Sequence, residues 1–301
     1  MNKKKIKIYF ADFWKDFQFD DNYFYHLLST LYDVEVTSSN PDILFHSVDY
    51  YKKKEHLNFN NKNTTKIFFT GENIIPDLNK TDYSFSFVDN IGPRNYRLPL
   101  WVLFINWFNI KHNNQRDPSF LIPLDKLENR RPYVINFKPL FCSFVASKPT
   151  GERIDFVPKL NQRKKIHCMG RLYSNTLLKA SGRGDQKRKL QLMKFFKFNV
   201  AFENEISEGY VTEKILHSFY TKSIPIYWGT SKAKTDFNPD AFINFADYES
   251  HESLIDDVIS INNDKERYQN YLRQPIFIDN KIPNFCKPEN VLNFLREIIE
   301  K

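Results

Sequence analysis

The chain has 301 residues, 41% of them apolar and 27% charged, with a formal charge of +8. That length is large for one core, so two domains are expected, and the apolar fraction excludes a disordered or collagen-like chain. The positive field favours acidic partners (phosphates, nucleotides, anionic surfaces), while lysines spread along the chain also fit a plain solvated surface.

In chain order, residues 7–10 read as a first strand and 22–31 (NYFYHLLSTL) as a helix with Leu27, Leu28 and Leu31 on one face. Residues 34–37 and 43–45 are further strands separated by Ser-Ser-Asn-Pro turn chemistry, and 66–70 (KIFFT) is a short apolar run typical of a strand buried on both faces. The stretch 98–108 (LPLWVLFINWF) is the most apolar, yet too short to span a bilayer, and is expected to be buried or interfacial. From about 108 to 138 the texture turns polar, with prolines, which suits a linker. The strand pattern restarts at 140–146, with Phe198, Val200 and Phe202 alternating on another strand. A helix is expected over 213–220, a strand over 224–228, and from Pro288 onward a helix with an apolar stripe of Val291, Leu292, Leu295, Ile298 and Ile299. This rhythm predicts two α/β domains.

The 8 glycines argue against a glycine-rich dinucleotide fold, and the 16% aromatic content suits dense cores or sugar-stacking surfaces. Cys142, Cys168 and Cys286 form no CxxC pair or Cys/His cluster, so no zinc site is expected and a reducing compartment fits. The N-terminus is basic without an apolar run of signal-peptide length. The expected location is the cytoplasm, with at most peripheral association at the inner face of a membrane. Trp14, on the loop after the first strand, suits either core packing or a sugar-stacking role. The tripeptide Arg183-Gly184-Asp185 reads as a basic surface loop.

The most informative stretch is 198–229, FNVAFENEISEGYVTEKILHSFYTKSIPIYWG. It reads as strand, polar loop, helix and strand, and such a loop lies at the carboxyl end of a parallel sheet, where open α/β folds bind ligands. A helix starting near Thr212 would bring its free N–H groups and dipole beside Lys214, a setting suited to a diphosphate. Glu213, an acceptor when ionised, suits the paired hydroxyls of a ribose. Taken alone, Thr-Glu-Lys also fits the ordinary start of a helix.

Asn204, Tyr210-Val211-Thr212-Glu213-Lys214 and Ile224-Pro225-Ile226-Tyr227-Trp228-Gly229 resemble the donor motif of the α-1,3-fucosyltransferase family, in particular its bacterial Lewis-antigen-type members. Thr70-Gly71-Glu72-Asn73 resembles the family's acceptor-side motif. Arg97-Leu98-Pro99-Leu100, Ser143-Phe144-Val145-Ala146-Ser147 and Asp236-Phe237-Asn238-Pro239 follow in the family's order.

The resemblance implies a GT-B fold, two Rossmann-like domains facing a central cleft. Residues 1–138 would hold the acceptor and 139–280 would hold GDP-fucose, with 281–301 forming a helix that crosses back to the N-terminal domain. It implies an inverting transfer of L-fucose from GDP-β-L-fucose, with O3 of GlcNAc in a lactosamine-type glycan as the acceptor. Glu72 is then the general base. Ser147, Arg153, Asn204, Tyr210, Glu213 and Lys214 form the donor site, without a metal and with Mn²⁺ at most stimulatory. Partners would be GDP-fucose and an oligosaccharide, not nucleic acid. A related transferase for another GDP-sugar, or a non-catalytic glycan- or nucleotide-binding relative, is the alternative. The sequence departs from the family at Lys148, where Asn is common, and lacks the heptad repeats and basic amphipathic tail of some bacterial members.

Overall fold

The computed structural model describes residues 3–49, 51–110, 121–128, 138–180 and 186–301. Arg183-Gly184-Asp185 and much of the expected linker (111–120 and 129–137) lie outside them. The chain divides into two compact units. The first gathers Met1–Leu103, Trp107–Asp117 and Asn284–Lys301, the second Phe104–Asn106 and Pro118–Pro283.

The first unit carries strands β1 (Lys5–Ala11), β2 (Asp33–Val36), β3 (Ile43–His46), β4 (Thr65–Phe69), β5 (Tyr83–Ser86) and β6 (Asn95–Arg97). They form one sheet in the order β2-β1-β3-β4-β5-β6, and all pairs are parallel. The four residues of β3 are all buried, as a central strand with both faces covered demands. Helix α1 (Tyr23–Ser29) opens at Asn22, whose side chain accepts from the Tyr25 N–H at 3.0 Å. Its buried face is Phe24, Leu27 and Leu28. Leu31 does not join that face. The helix ends two residues earlier, and Leu31 is 39% exposed. Phe24 stacks on Phe45 at 4.8 Å between ring centroids and meets Phe69 edge-on, so much of this core is aromatic.

The C-terminal helix Pro288–Ile299 belongs to this unit. Val291, Leu295 and Ile298 are buried at i, i+4 and i+7, while Leu292 and Ile299 stay half-buried at the margins. Phe294 adds ring contacts with Tyr83, Phe85 and Tyr96. Leu98, Trp101 and Val102 are fully buried, in keeping with a packed role for 98–108. Among the described residues no helix is long and apolar enough to cross a membrane.

The second unit contains the short parallel pair β7 (Ile105–Asn106) and β8 (Ile122–Pro123), then the one-turn helix α2 (Asp125–Glu128). Its main sheet is built from β9 (Leu140–Phe144), β10 (His167–Cys168), β11 (Phe196–Phe202), β12 (Ile224–Trp228) and β13 (Ile243–Asn244), in the order β10-β9-β11-β12-β13, again all parallel. Helices α3 (Arg153–Arg163), α4 (Gln186–Met193), α5 (Glu213–Tyr220), α6 (Ala233–Asp236), α7 (His251–Asn263) and α8 (Lys265–Arg273) follow in the same half of the chain. The strand with Phe198, Val200 and Phe202 is not half-exposed as strict alternation suggests. Six of the seven residues of β11 are buried, because the strand sits at the centre of the sheet. Its buried Asn199 is satisfied, accepting from Ser143 at 2.9 Å and donating to Ser218 at 2.8 Å.

Both sheets share one topology. In each, the second strand lies outside the first and the third lies on the first strand's other side, so the connections diverge between first and third strands. That divergence opens a crevice at the carboxyl ends, between β1 and β3 in one unit and between β9 and β11 in the other.

Candidate active site

The crevice of the second unit is walled by the turn after β9 and the loop after β11. Gly151 has φ +57°, and a side chain there would strike the Trp228 indole and approach the Asn204 carbonyl, so the turn is pressed onto the strand ends. Helix α3 begins immediately after this turn with Arg153, which is 2% exposed. Its Nη2 donates to the carbonyl of Phe202, the last residue of β11, and its Nη1 reaches Thr150 Oγ1 at 3.4 Å. The buried Nε has no partner among the described residues. Burial lowers the Arg153 pKa while Glu203, Glu213 and Tyr210 oppose that shift, and an arginine stays charged throughout.

Next to it stands Glu203, fully buried, which the sequence reading did not single out. Its Oε1 accepts from the Thr212 N–H at 2.8 Å. Its Oε2 accepts from the Thr212 hydroxyl at 2.7 Å and from Lys214 Nζ at 2.9 Å. Lys214 also donates to Thr212 Oγ1 at 2.7 Å. Thr212 therefore precedes α5 with no side-chain cap of its own, its hydroxyl committed to the carboxylate and the ammonium. Burial pulls the Lys214 pKa down, but Glu203 and Glu213 more than compensate, and it stays raised.

Glu213 is the first residue of α5. Burial pushes its carboxyl up, yet Lys214 and Lys189 together with a backbone hydrogen bond hold it down at about 2. Lys189, from α4, places Nζ 3.1 Å from His217 Nδ1. His217 is fully buried, and burial followed by the nearby Lys189 keeps its pKa well below the ordinary value. The imidazole is thus neutral, accepts at Nδ1 and carries its proton on Nε2, which has no hydrogen-bond partner among the described residues.

Of the residues expected from the sequence, Arg153, Tyr210, Glu213 and Lys214 come together around Glu203, with Tyr210 3% exposed. Asn204 follows Glu203 directly and is half-buried. Ser147 and Lys148 are exposed on the turn. Ser147 does not cap α3, because the capping position is Glu152, five residues further on. Glu72 lies in the other unit, half-buried just past β4. There its N–H donates to Thr70 Oγ1 at 3.0 Å, the Thr70 hydroxyl donates back to its carbonyl at 3.1 Å, and Ile74 N–H closes the turn on the same carbonyl at 2.8 Å.

Glu203 had one legible signal: a carboxylate directly behind the apolar strand FNVAF, at the carboxyl end where β11 stops. Lys189 had none, since α4 (QKRKLQLM) reads as an ordinary basic helix.

Two cations and the first turn of α5, gathered at the carboxyl edge of a parallel sheet, make an anion-binding site of the kind that open α/β folds present to a phosphate or nucleotide. Residues 138–278 match the family model "Glycosyltransferase family 10 (fucosyltransferase) C-term", and residues 8–104 match "Alpha-(1,3)-fucosyltransferase FucT N-terminal domain". The chain belongs to the α-1,3-fucosyltransferase family. It is 30% identical over 293 residues to the Helicobacter pylori α-(1,3)-fucosyltransferase FucT, an alignment covering 89% of this chain and 59% of that protein. The human 4-galactosyl-N-acetylglucosaminide 3-alpha-L-fucosyltransferase 9 is 25% identical over 171 residues, covering 54% of this chain and 46% of that one. The chain thus spans little more than half the length of the first of these relatives and less than half of the second. A crystal structure of an α1,3-fucosyltransferase with GDP-fucose superposes with a TM-score of 0.75 at 26% identity, covering 100% of this chain and 92% of the other. The fold is accordingly α/β, of the GT-B type.

Proposed function

We propose that this protein transfers L-fucose from GDP-β-L-fucose to a glycan hydroxyl, O3 of GlcNAc in a lactosamine-type acceptor, forming an α-fucoside. The observation that carries the reading is the buried Arg153, whose Nε has no partner among the described residues, beside Lys214 at the start of α5. Glu72 takes the proton of the acceptor hydroxyl, whose oxygen forms a bond to the fucosyl anomeric carbon as that carbon's bond to the diphosphate breaks. One displacement turns the β-linked donor into an α-linked product. The charge gathering on the departing GDP meets Arg153, Lys214 and the α5 dipole. Ionised Glu213 accepts from the ribose hydroxyls, and Asn204, Tyr210 and Ser147 complete the nucleotide pocket.

Arg153→Ala and Lys214→Ala are each expected to weaken GDP far more than guanosine, by roughly 1.5–3 kcal/mol per lost charge-assisted contact. Calorimetric titration of both ligands reads the difference; equal losses for the two would assign these residues to folding or to the nucleoside. Offering a panel of GDP-sugars and lactosamine acceptors, with NMR mapping of the product linkage, tests donor and regiochemistry together.

The same reading predicts metal-independent turnover. Two side-chain cations and a helix terminus neutralise the leaving diphosphate without a divalent ion. Substantial activity is expected in excess EDTA, with Mn²⁺ at most accelerating product release. Complete loss in chelator, restored by one metal, would overturn this account and direct attention to the exposed Glu205 and Glu208 in the loop after β11.

A further inference from the structure

Helix α4 is basic along its length, yet one of its lysines does not face solvent. Lys187, Arg188 and Gln191 are exposed, whereas Leu190 and Met193 are buried in a small core with Met169, Ala180 and Phe196. Lys189 borders that buried face, and its Nζ lies 3.1 Å from Nδ1 of His217 on α5. Burial pulls the Lys189 pKa down, because an ammonium loses its hydration there. A Gln or Met would fill the same space without that cost, so the packing of α4 does not by itself account for a lysine.

Glu213 does account for it. Its carboxylate is half-buried at the first turn of α5 and, apart from a bond to its own backbone, accepts no hydrogen bond from the described residues. The cations around it are all engaged elsewhere. Lys214 donates to Glu203 and Thr212, Arg153 to the Phe202 carbonyl and Thr150, and Lys189 to His217. Glu213 is thus compensated through space while its oxygens stay open, the state of an acceptor whose donors come from a ligand.

The charged and titratable groups of this cluster come from every element of the site. Lys214 and His217 stand on α5, Lys189 on α4, Arg153 on α3, with Glu203 just past β11 and Tyr210 in the loop that follows. Among the described residues, Lys189, Lys214 and Arg153 face the two carboxylates Glu203 and Glu213. Lys214 and Arg153 would already match those carboxylates, so Lys189 is the surplus charge. Neutral His217 adds none and serves as its dock, since an imidazolium has no nitrogen left to accept.

We propose that Lys189 is a positioning residue of the nucleotide site: docked on His217, it balances Glu213 across a gap, so that the carboxylate needs no protein partner and presents both oxygens to a ribose diol. The inference rests on the reading that Glu213 accepts from the ribose. In wild type Glu213 is held at about 2 and stays ionised throughout the working range. Without Lys189, burial is opposed mainly by Lys214, which Glu203 shares. The carboxyl then rises, protonates as the pH falls, and loses its charge-assisted bonds to the diol.

The test is calorimetric titration of the full chain with GDP and with 2′,3′-dideoxy-GDP, from about pH 8 to about pH 4.5. The diphosphate titrates alike in both ligands, so the ratio of their affinities isolates the diol. Wild type is expected to prefer GDP about tenfold at every pH. Lys189→Met should keep that preference at the alkaline end and lose most of it at the acid end, and Lys189→Arg should restore the flat profile. A lysine that only braced α4 would weaken both nucleotides together and leave their ratio independent of pH. Should Lys189→Met fail to fold, Lys189→Gln, which still donates to His217, supplies the decision. A ratio in the neutral variants as flat as that of wild type overturns the proposal and leaves the transferase reading standing. Glu213→Ala tells the two apart, being expected to lose the preference at every pH. A preference that survives Glu213→Ala, or none in wild type, removes the ribose role of Glu213 and the proposal with it.

Discussion

Glu72→Ala is expected to lower fucosyl transfer by at least about two orders of magnitude, the usual scale for loss of a general base, while GDP affinity stays at the wild-type value. The two halves of the result separate because Glu72 and the cations Arg153 and Lys214 belong to different units. The turn around Glu72 is held by its backbone and by the Thr70 hydroxyl, so removing the carboxylate leaves those hydrogen bonds in place. Steady-state kinetics with a lactosamine acceptor, alongside GDP titration, provide the measurement. Near-normal turnover in the variant would show that another group takes the proton.

Glu203→Ala should be the most damaging change in the second unit. The carboxylate is fully buried and accepts from a backbone N–H, a hydroxyl and an ammonium at once. Removing one partner of such a pair leaves the other charge uncompensated, at a cost of roughly 3–5 kcal/mol. Thr212 would lose the acceptor for its N–H and hydroxyl, and Lys214 its anchor, so GDP binding should fall along with stability. Glu203→Gln is expected to lose less, because an amide oxygen still accepts from the Thr212 N–H but brings no charge to Lys214. Denaturant unfolding of both variants reads the order. A midpoint for Glu203→Ala equal to wild type would mean that the cluster contributes nothing to the unit's stability.

The elements most legible in the sequence were those whose burial is decided locally. Glu213–Tyr220 and Ile224–Trp228 occur with the expected bounds, and α1 and β1 differ only at their ends. Their apolar periodicity and turn residues already state which face must be covered. The motif residues Arg153, Tyr210, Glu213 and Lys214 were legible for another reason, a resemblance to a family whose order of motifs this chain keeps.

What the sequence did not contain was the environment that each charge would find. The chain by itself determined two parallel α/β units, a cationic helix start after Thr212, and Glu72 at the end of an apolar strand. Only the tertiary structure decided that Arg153 is bound to the end of β11, that Lys214 is paired with Glu203, and that Lys189 from a basic helix reaches His217. Tertiary structure also put Leu31 beyond its helix and covered both faces of β11. These are contacts between residues distant in sequence, and their energies depend on burial and on the sign of neighbouring charges. No local periodicity encodes either quantity.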